Sequence, residues 1–144
     1  IALNKKANKR LQKQFIDRTV EKRYVAVIEG LLVDDEGLVK LPLRGDFYDR
    51  PRQMVCFEHG KPAETRWEVI ERKDNHTRVY LYPKTGRTHQ LRVHCAHAQG
   101  LAMPMLGDDL YGVKADRLHL HAEFLSLQHP MTKERMSFQL EADF

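Results

Sequence analysis

The run Lys22 to Leu32 (KRYVAVIEGLL) constrains the fold more than any other part of the chain. It is rich in Val, Ile and Tyr and reaches Gly30 near its end, which predicts a strand. Side chains alternate across a strand, so Tyr24, Ala26 and Ile28 share one face while Val25 and Val27 share the other. Both sets are largely apolar. Such a strand needs cover on both faces, and the run is therefore expected in the interior of a sheet.

Further strands have to be found to flank it. Thr65, Trp67 and Val69 alternate with Arg66, Glu68 and Ile70, and Thr77 to Tyr82 (TRVYLY) follows after Lys73-Asp74-Asn75-His76. Asp and Asn tolerate turn geometry, so these two runs predict an antiparallel hairpin. Met54 to Glu58 (MVCFE), Leu118 to Leu127 and Arg135 to Leu140 read as further strands, although Leu118 to Phe124 could begin as a helical turn. Residues 33–52 read as loop with short strand pieces, broken by Asp34-Asp35-Glu36-Gly37, Pro42, Gly45 and Pro51.

Two stretches carry helical spacing. Leu3, Ala7, Leu11 and Phe15 recur every four positions with Lys and Arg between them, the pattern of an amphipathic helix with a basic outer face. The second helix is expected over Thr88 to Gln99, with Thr88 as cap, Leu91, Cys95 and Ala98 facing inward and Gly100 ending it. Gly86 precedes it and can adopt a positive φ, leaving Arg87 on the turn and Arg92 one turn along. A helix start with two guanidinium groups makes a donor-rich corner suited to a phosphate or a carboxylate. The chain is thus expected to form one α+β domain over residues 1–144, a mostly antiparallel mixed sheet with flanking helices.

Charge narrows the partner. The net charge of +4 is unevenly spread: residues 1–24 hold eight Lys or Arg against Asp17 and Glu21, while the remainder holds 16 basic and 18 acidic groups. A basic end on a near-neutral body suits a polyanion, or equally a solvated helix face. Hydrophobic residues at 42% and charged residues at 31% exclude a disordered chain. No apolar run has the length of a membrane span and no signal-peptide pattern opens the chain, so a soluble cytoplasmic protein without membrane contact is expected. Cys56 and Cys95 lie far apart in apolar surroundings and are expected as free buried thiols.

Eight histidines raise a metal hypothesis, with His94 and His97 able to share a helix face and His119 and His121 a strand face. No His-Glu-x-x-His, Cys pair or carboxylate at ligand spacing accompanies them, so no metal is expected. Ser126, Ser137 and Cys95 lack the surroundings of a nucleophile, and no phosphate-cradling glycine loop is present. An Arg-rich turn, a basic helix and aromatics such as Tyr24 remain. That combination suits RNA better than a small metabolite.

Thr85-Gly86-Arg87-Thr88-His89-Gln90-Leu91-Arg92-Val93-His94, followed by Gly107-Asp108-Asp109-Leu110-Tyr111-Gly112 and Leu120-His121-Ala122, resembles the latter half of an RluA-type pseudouridine synthase. Lys22 to Gly30 resembles that family's Tyr-containing motif. Lys61-Pro62-Ala63-Glu64-Thr65 and the ending His129-Pro130 through Phe144 resemble the branch acting on both 23S ribosomal RNA and tRNA. The resemblance implies the pseudouridine synthase fold and cofactor-free conversion of uridine to pseudouridine in RNA, with the target base flipped out and an aspartate as nucleophile. Carried over by motif, Tyr24 contacts the flipped uracil, Arg87 pairs with the aspartate and Leu91 belongs to the apolar floor. Lys9, Arg10, Lys13, His89 and Arg92 are expected to bind RNA; for Arg92, binding a phosphate or bracing the loop around Asp108 is expected in preference to a part in the chemistry.

One departure bears on activity. The family's nucleophile sits in an Arg-Leu-Asp-type motif upstream of the Tyr strand, and these 144 residues contain none. Asp17, Asp46, Asp108 and Asp109 stand in other contexts. The chain is therefore expected to be the carboxy-terminal portion of a longer catalytic domain, its amino-terminal part missing, inactive alone and monomeric in full-length form. A non-catalytic RNA-binding module of the same fold is the alternative.

Overall fold

A computed structural model describes Lys9 and residues 20–144. The amphipathic helix expected over residues 3–15, with Arg10 and Lys13, lies outside the described residues; Lys9 is exposed. Six strands form one sheet: β1 (Glu21–Glu29), β2 (Glu36–Lys40), β5 (Glu64–Lys73), β6 (His76–Pro83), β7 (Leu120–Gln128) and β8 (Arg135–Gln139), in the order β2-β5-β6-β1-β7-β8. Every pairing in it is antiparallel, so no mixed sheet forms among the described residues. A separate ribbon pairs β3 (Leu43–Gly45) with β4 (Gln53–Val55). The helix α1 (Gln90–Ala96) follows β6 in the chain and leads into the long loop before β7.

The strand with two apolar faces does lie inside the sheet. β1 has β6 on one edge and β7 on the other, and Val25, Ala26 and Ile28 are all fully buried. Ala26 and Ile28 join Trp67 of β5, Val79 and Leu81 of β6, Leu91 and Cys95 of α1 and Met105 in the main core. The β5–β6 hairpin turns on Asp74 and Asn75, at φ 53° and 63°. A two-residue turn with both residues in the left-handed region follows the twist of its strands, and Asp and Asn pay less than most residues to adopt it.

Two local expectations give way to tertiary contacts, and one open alternative closes. The run Met54 to Glu58 stays extended only as far as Val55, because Cys56 N–H donates to Pro42 O and Gly60 N–H to Cys56 O, folding 56–60 into a turn. Cys56 is consequently half-buried, whereas Cys95 is buried; both thiols are free. The helix is also shorter than Thr88 to Gln99. His89, at φ 53°, is its N-cap in place of Thr88, and Ala98 lies exposed in the turn beyond it. Leu118 to Phe124 resolves as strand from Leu120, with no helical turn.

Candidate active site cleft

Three elements meet at one cleft. β1 carries Lys22 and Tyr24 to its wall, Leu120 arrives beside them from β7, and the connection from β6 into α1 supplies Pro83, Thr85, Gly86, Arg87, His89, Gln90, Leu91 and Arg92. The cleft holds about 290 Å³. Tyr24, opposite Leu81 on β6 and Ala122 on β7, shares the face of Ala26 and Ile28 and so packs toward the α1 side. Leu91 is buried in the first turn of α1. Tyr24, Arg87, His89, Leu91 and Arg92, named from sequence alone, all line this space.

The connection is organised by Gln90, only 3% exposed. Its Oε1 accepts from the Thr85 hydroxyl at 2.6 Å and from Arg87 N–H at 3.1 Å. Its Nε2 donates to Glu64 O at 2.9 Å and to Thr65 Oγ1 at 3.0 Å. An amide buried with all its hydrogen-bonding capacity used fixes the loop on β5. Below it, His94 Nε2 donates to Leu41 O at 2.9 Å, which leaves Nδ1 to accept from the Thr65 hydroxyl at 2.8 Å. Burial holds His94 below the usual imidazole pKa, in keeping with this neutral form.

The anion-binding corner expected here is largely turned inward. Arg87 N–H is taken by Gln90, and Arg87 Nε donates to Pro62 O at 2.9 Å. Gly86 does not take a positive φ; a β-carbon there would lie 3.6 Å from Lys22 Nζ. Arg92 donates from Nε and Nη2 to Asp108 at 3.1 and 2.6 Å, and from Nη2 to Asp109 at 3.3 Å. Of its two expected roles, bracing is the one this geometry fits. Asp108 is fully buried and also accepts from the N–H groups of Leu110 and Tyr111. Burial alone would raise its pKa, but the Arg92 bond and those two N–H groups outweigh it and hold the carboxyl below its ordinary value.

Sequence reading missed three contributors. Lys22 lines the cleft from the strand position two before Tyr24, a spacing that alternation alone could have flagged, and burial lowers its pKa. Gln90 gave no signal, since two of its four partners, Glu64 O and Thr65 Oγ1, come from β5. Tyr111 OH accepts Gln53 N–H at 2.8 Å and lies 2.8 Å from His89 Nδ1. Among the described residues no carboxylate lines the cleft, and no group of three or more His, Cys, Asp or Glu is placed to hold a metal ion. His94 is committed to the core, and His121 Nε2 donates to Leu140 O at 2.8 Å. No helix among the described residues is long and apolar enough to cross a membrane.

Comparison with known proteins agrees with this architecture. Residues 1–97 match the family model for RNA pseudouridylate synthase. The chain is 47% identical over 150 residues to the dual-specificity RNA pseudouridine synthase RluA of Escherichia coli (strain K12), covering 100% of this chain and 67% of that protein. Against the RluA of Yersinia pestis the identity is 45%, covering 71% of that protein. Among solved structures, human RNA Pseudouridylate Synthase Domain Containing 1 superposes with a TM-score of 0.83 at 30% identity, over 99% of this chain and 62% of that one. Human RNA Pseudouridylate Synthase Domain Containing 4 shares the fold, with a TM-score of 0.75 at 23% identity. The chain spans about two thirds of the length of these relatives. With its sheet, its cleft and its Tyr24 and Arg87 motifs on one side, and these matches on the other, the chain belongs to the RNA pseudouridine synthase family.

Proposed function

We propose that the complete protein converts specific uridines to pseudouridine in structured RNA, with 23S rRNA and tRNA as substrates. It does so in the cytoplasm, as a monomer and without cofactor or metal. The observation that carries this reading is the convergence of Tyr24, Arg87 and Leu91 on one cleft. The N1–C1′ bond of the flipped uridine breaks, the freed base turns, and C5 bonds to C1′; the proton on C5 is lost and N1 gains one, so the product is an isomer. Tyr24 supplies a π-face and a hydroxyl to the base, and takes the C5 proton. Leu91 floors the pocket. Arg87 pairs with the aspartate nucleophile, which belongs to a part of the protein outside these 144 residues, and keeps it ionised. This chain alone is therefore inactive.

Lys9, Arg10 and Lys13 act on the RNA backbone and His89 on the RNA within the cleft, while Arg92 holds the loop of Asp108 in place. A second reading, an RNA-binding module without chemistry, draws on the absence of a carboxylate among the described residues lining the cleft. Tritium release from C5-tritiated uridine in transcribed 23S rRNA and tRNA separates the two. The full-length protein is expected to release tritium, and Arg87→Ala and Tyr24→Phe to lose at least about a hundredfold in rate, the scale of a lost acid–base or positioning group. Undiminished release by both variants would overturn the site assignment. Tight RNA binding with no release by the unsubstituted protein would favour the binding module.

A further inference from the structure

His89 occupies an unusual position. Its backbone is left-handed at φ 53°, a conformation in which a β-carbon crowds the following carbonyl oxygen. Its side chain lines the Tyr24 cleft and also a second cleft of about 460 Å³ beneath the β3–β4 connection. The ring stands edge-on to Tyr111, 5.7 Å between centroids at 79°.

The protons in this contact can be placed from the donors around it. Gln53 N–H can only donate, so the Tyr111 oxygen accepts it. The phenol keeps one proton, and among the described residues its acceptor is His89 Nδ1, 2.8 Å away. An imidazole that accepts at Nδ1 and is neutral carries its hydrogen on Nε2. Neutrality is favoured by the surroundings: burial first, then Arg92 on α1, hold His89 below its ordinary pKa, with Asp108 opposing them. The other charged groups lining the two clefts beside it are Lys22 and Arg87 on one side and Asp46, Arg50 and Arg52 on the other.

We propose that Tyr111 is a positioning residue that locks His89 in the Nε2–H tautomer, and that this N–H donates to a carbonyl oxygen of the flipped pyrimidine held against Tyr24. The inference rests on the isomerase reading above and assigns one polar contact within it. A neutral donor matches an uncharged acceptor. A phosphate would be better met by an imidazolium, and the cationic neighbours of His89 work against forming one. Lys22 and Arg87 already supply positive charge to the same cleft.

The test uses the full-length protein, an RNA stem-loop with C5-tritiated uridine, and rates from pH 5.5 to 8.5. His89→Leu removes the donor and is expected to lose tenfold to a hundredfold in kcat/KM, while His89→Gln, which keeps an amide N–H, recovers most of that loss. Tyr111→Phe releases the tautomer, so its deficit relative to the unsubstituted protein is expected at pH 7.5 and above. It should narrow progressively as pH falls from about 6.5 toward the lowered pKa of His89, because an imidazolium carries Nε2–H whatever the tautomer. A merely structural role for Tyr111 gives a deficit that does not change with pH, and that result overturns the proposal. So does full activity in His89→Leu, or a loss confined to RNA affinity that persists when the target base is removed. No tritium release by the unsubstituted protein overturns the isomerase reading itself, whereas failure confined to these variants leaves that reading standing.

Discussion

Replacing Asp108 by Asn tests whether the Gly107–Gly112 loop is held by charge. The side chain is fully buried and accepts four hydrogen bonds, two from Arg92 and one each from the N–H groups of Leu110 and Tyr111. Asparagine keeps the volume but removes the charge, and it turns an N–H₂ toward donors. Breaking a buried pair from one side costs about 3–5 kcal/mol, because the remaining charge loses its partner. The Arg92 side chain keeps 16% exposure, so water and the more exposed Asp109 recover part of this, and we expect about 2–4 kcal/mol. For a domain of this size that is a fall in melting temperature of roughly 6–16 °C.

The pH dependence gives the independent check. Asp108 has a folded pKa below its unfolded value near 3.9, so its contribution is complete above that value and is lost as pH falls toward the folded pKa. Urea midpoints of the two proteins should therefore differ most at pH 7 and converge in acid. A difference under about 1 kcal/mol at pH 7, or one that does not shrink below pH 4, would refute the claim that charge holds this loop.

Two further outcomes follow from the same packing. His94 has a folded pKa below its unfolded value of about 6.5, so the unfolded chain takes up the proton first and stability declines as pH falls from about 6.5 toward the folded pKa. In His94→Gln that part of the slope should vanish, whatever its effect at pH 8; an unchanged slope in urea titrations would show that His94 is not buried neutral. Gly107 sits at φ +82°, and a β-carbon there would clash with the backbone oxygen of Arg117. Gly107→Ala should cost at least about 2 kcal/mol through strain and displacement of the loop, read as a lowered urea midpoint, and a neutral result would mean that the loop yields freely.

Where the chemistry is local, the sequence settled the outcome. Alternation placed β1, β5 and β6, Asp74-Asn75 placed the hairpin turn, and two apolar faces sent β1 to the sheet interior. Each depends on residues within a few positions of one another, where steric preference and burial act directly. The Tyr24 and Arg87 motifs were legible for a different reason: family resemblance, not periodicity, singled them out.

Tertiary structure alone decided who meets whom. β1 takes as its second neighbour β7, a strand that begins near residue 120. β4 stops at Val55 because Pro42 O draws Cys56 N–H into a turn. The helix starts late because His89 is drawn to Tyr111, and Gln90 to Thr85, Glu64 and Thr65. Arg92, for which the sequence left a phosphate or the Asp108 loop open, finds its carboxylate sixteen residues on. A side chain's type states what kind of partner it needs. Which partner it gets depends on what the completed sheet brings within about 3 Å, a distance that carries no trace in the order of the residues.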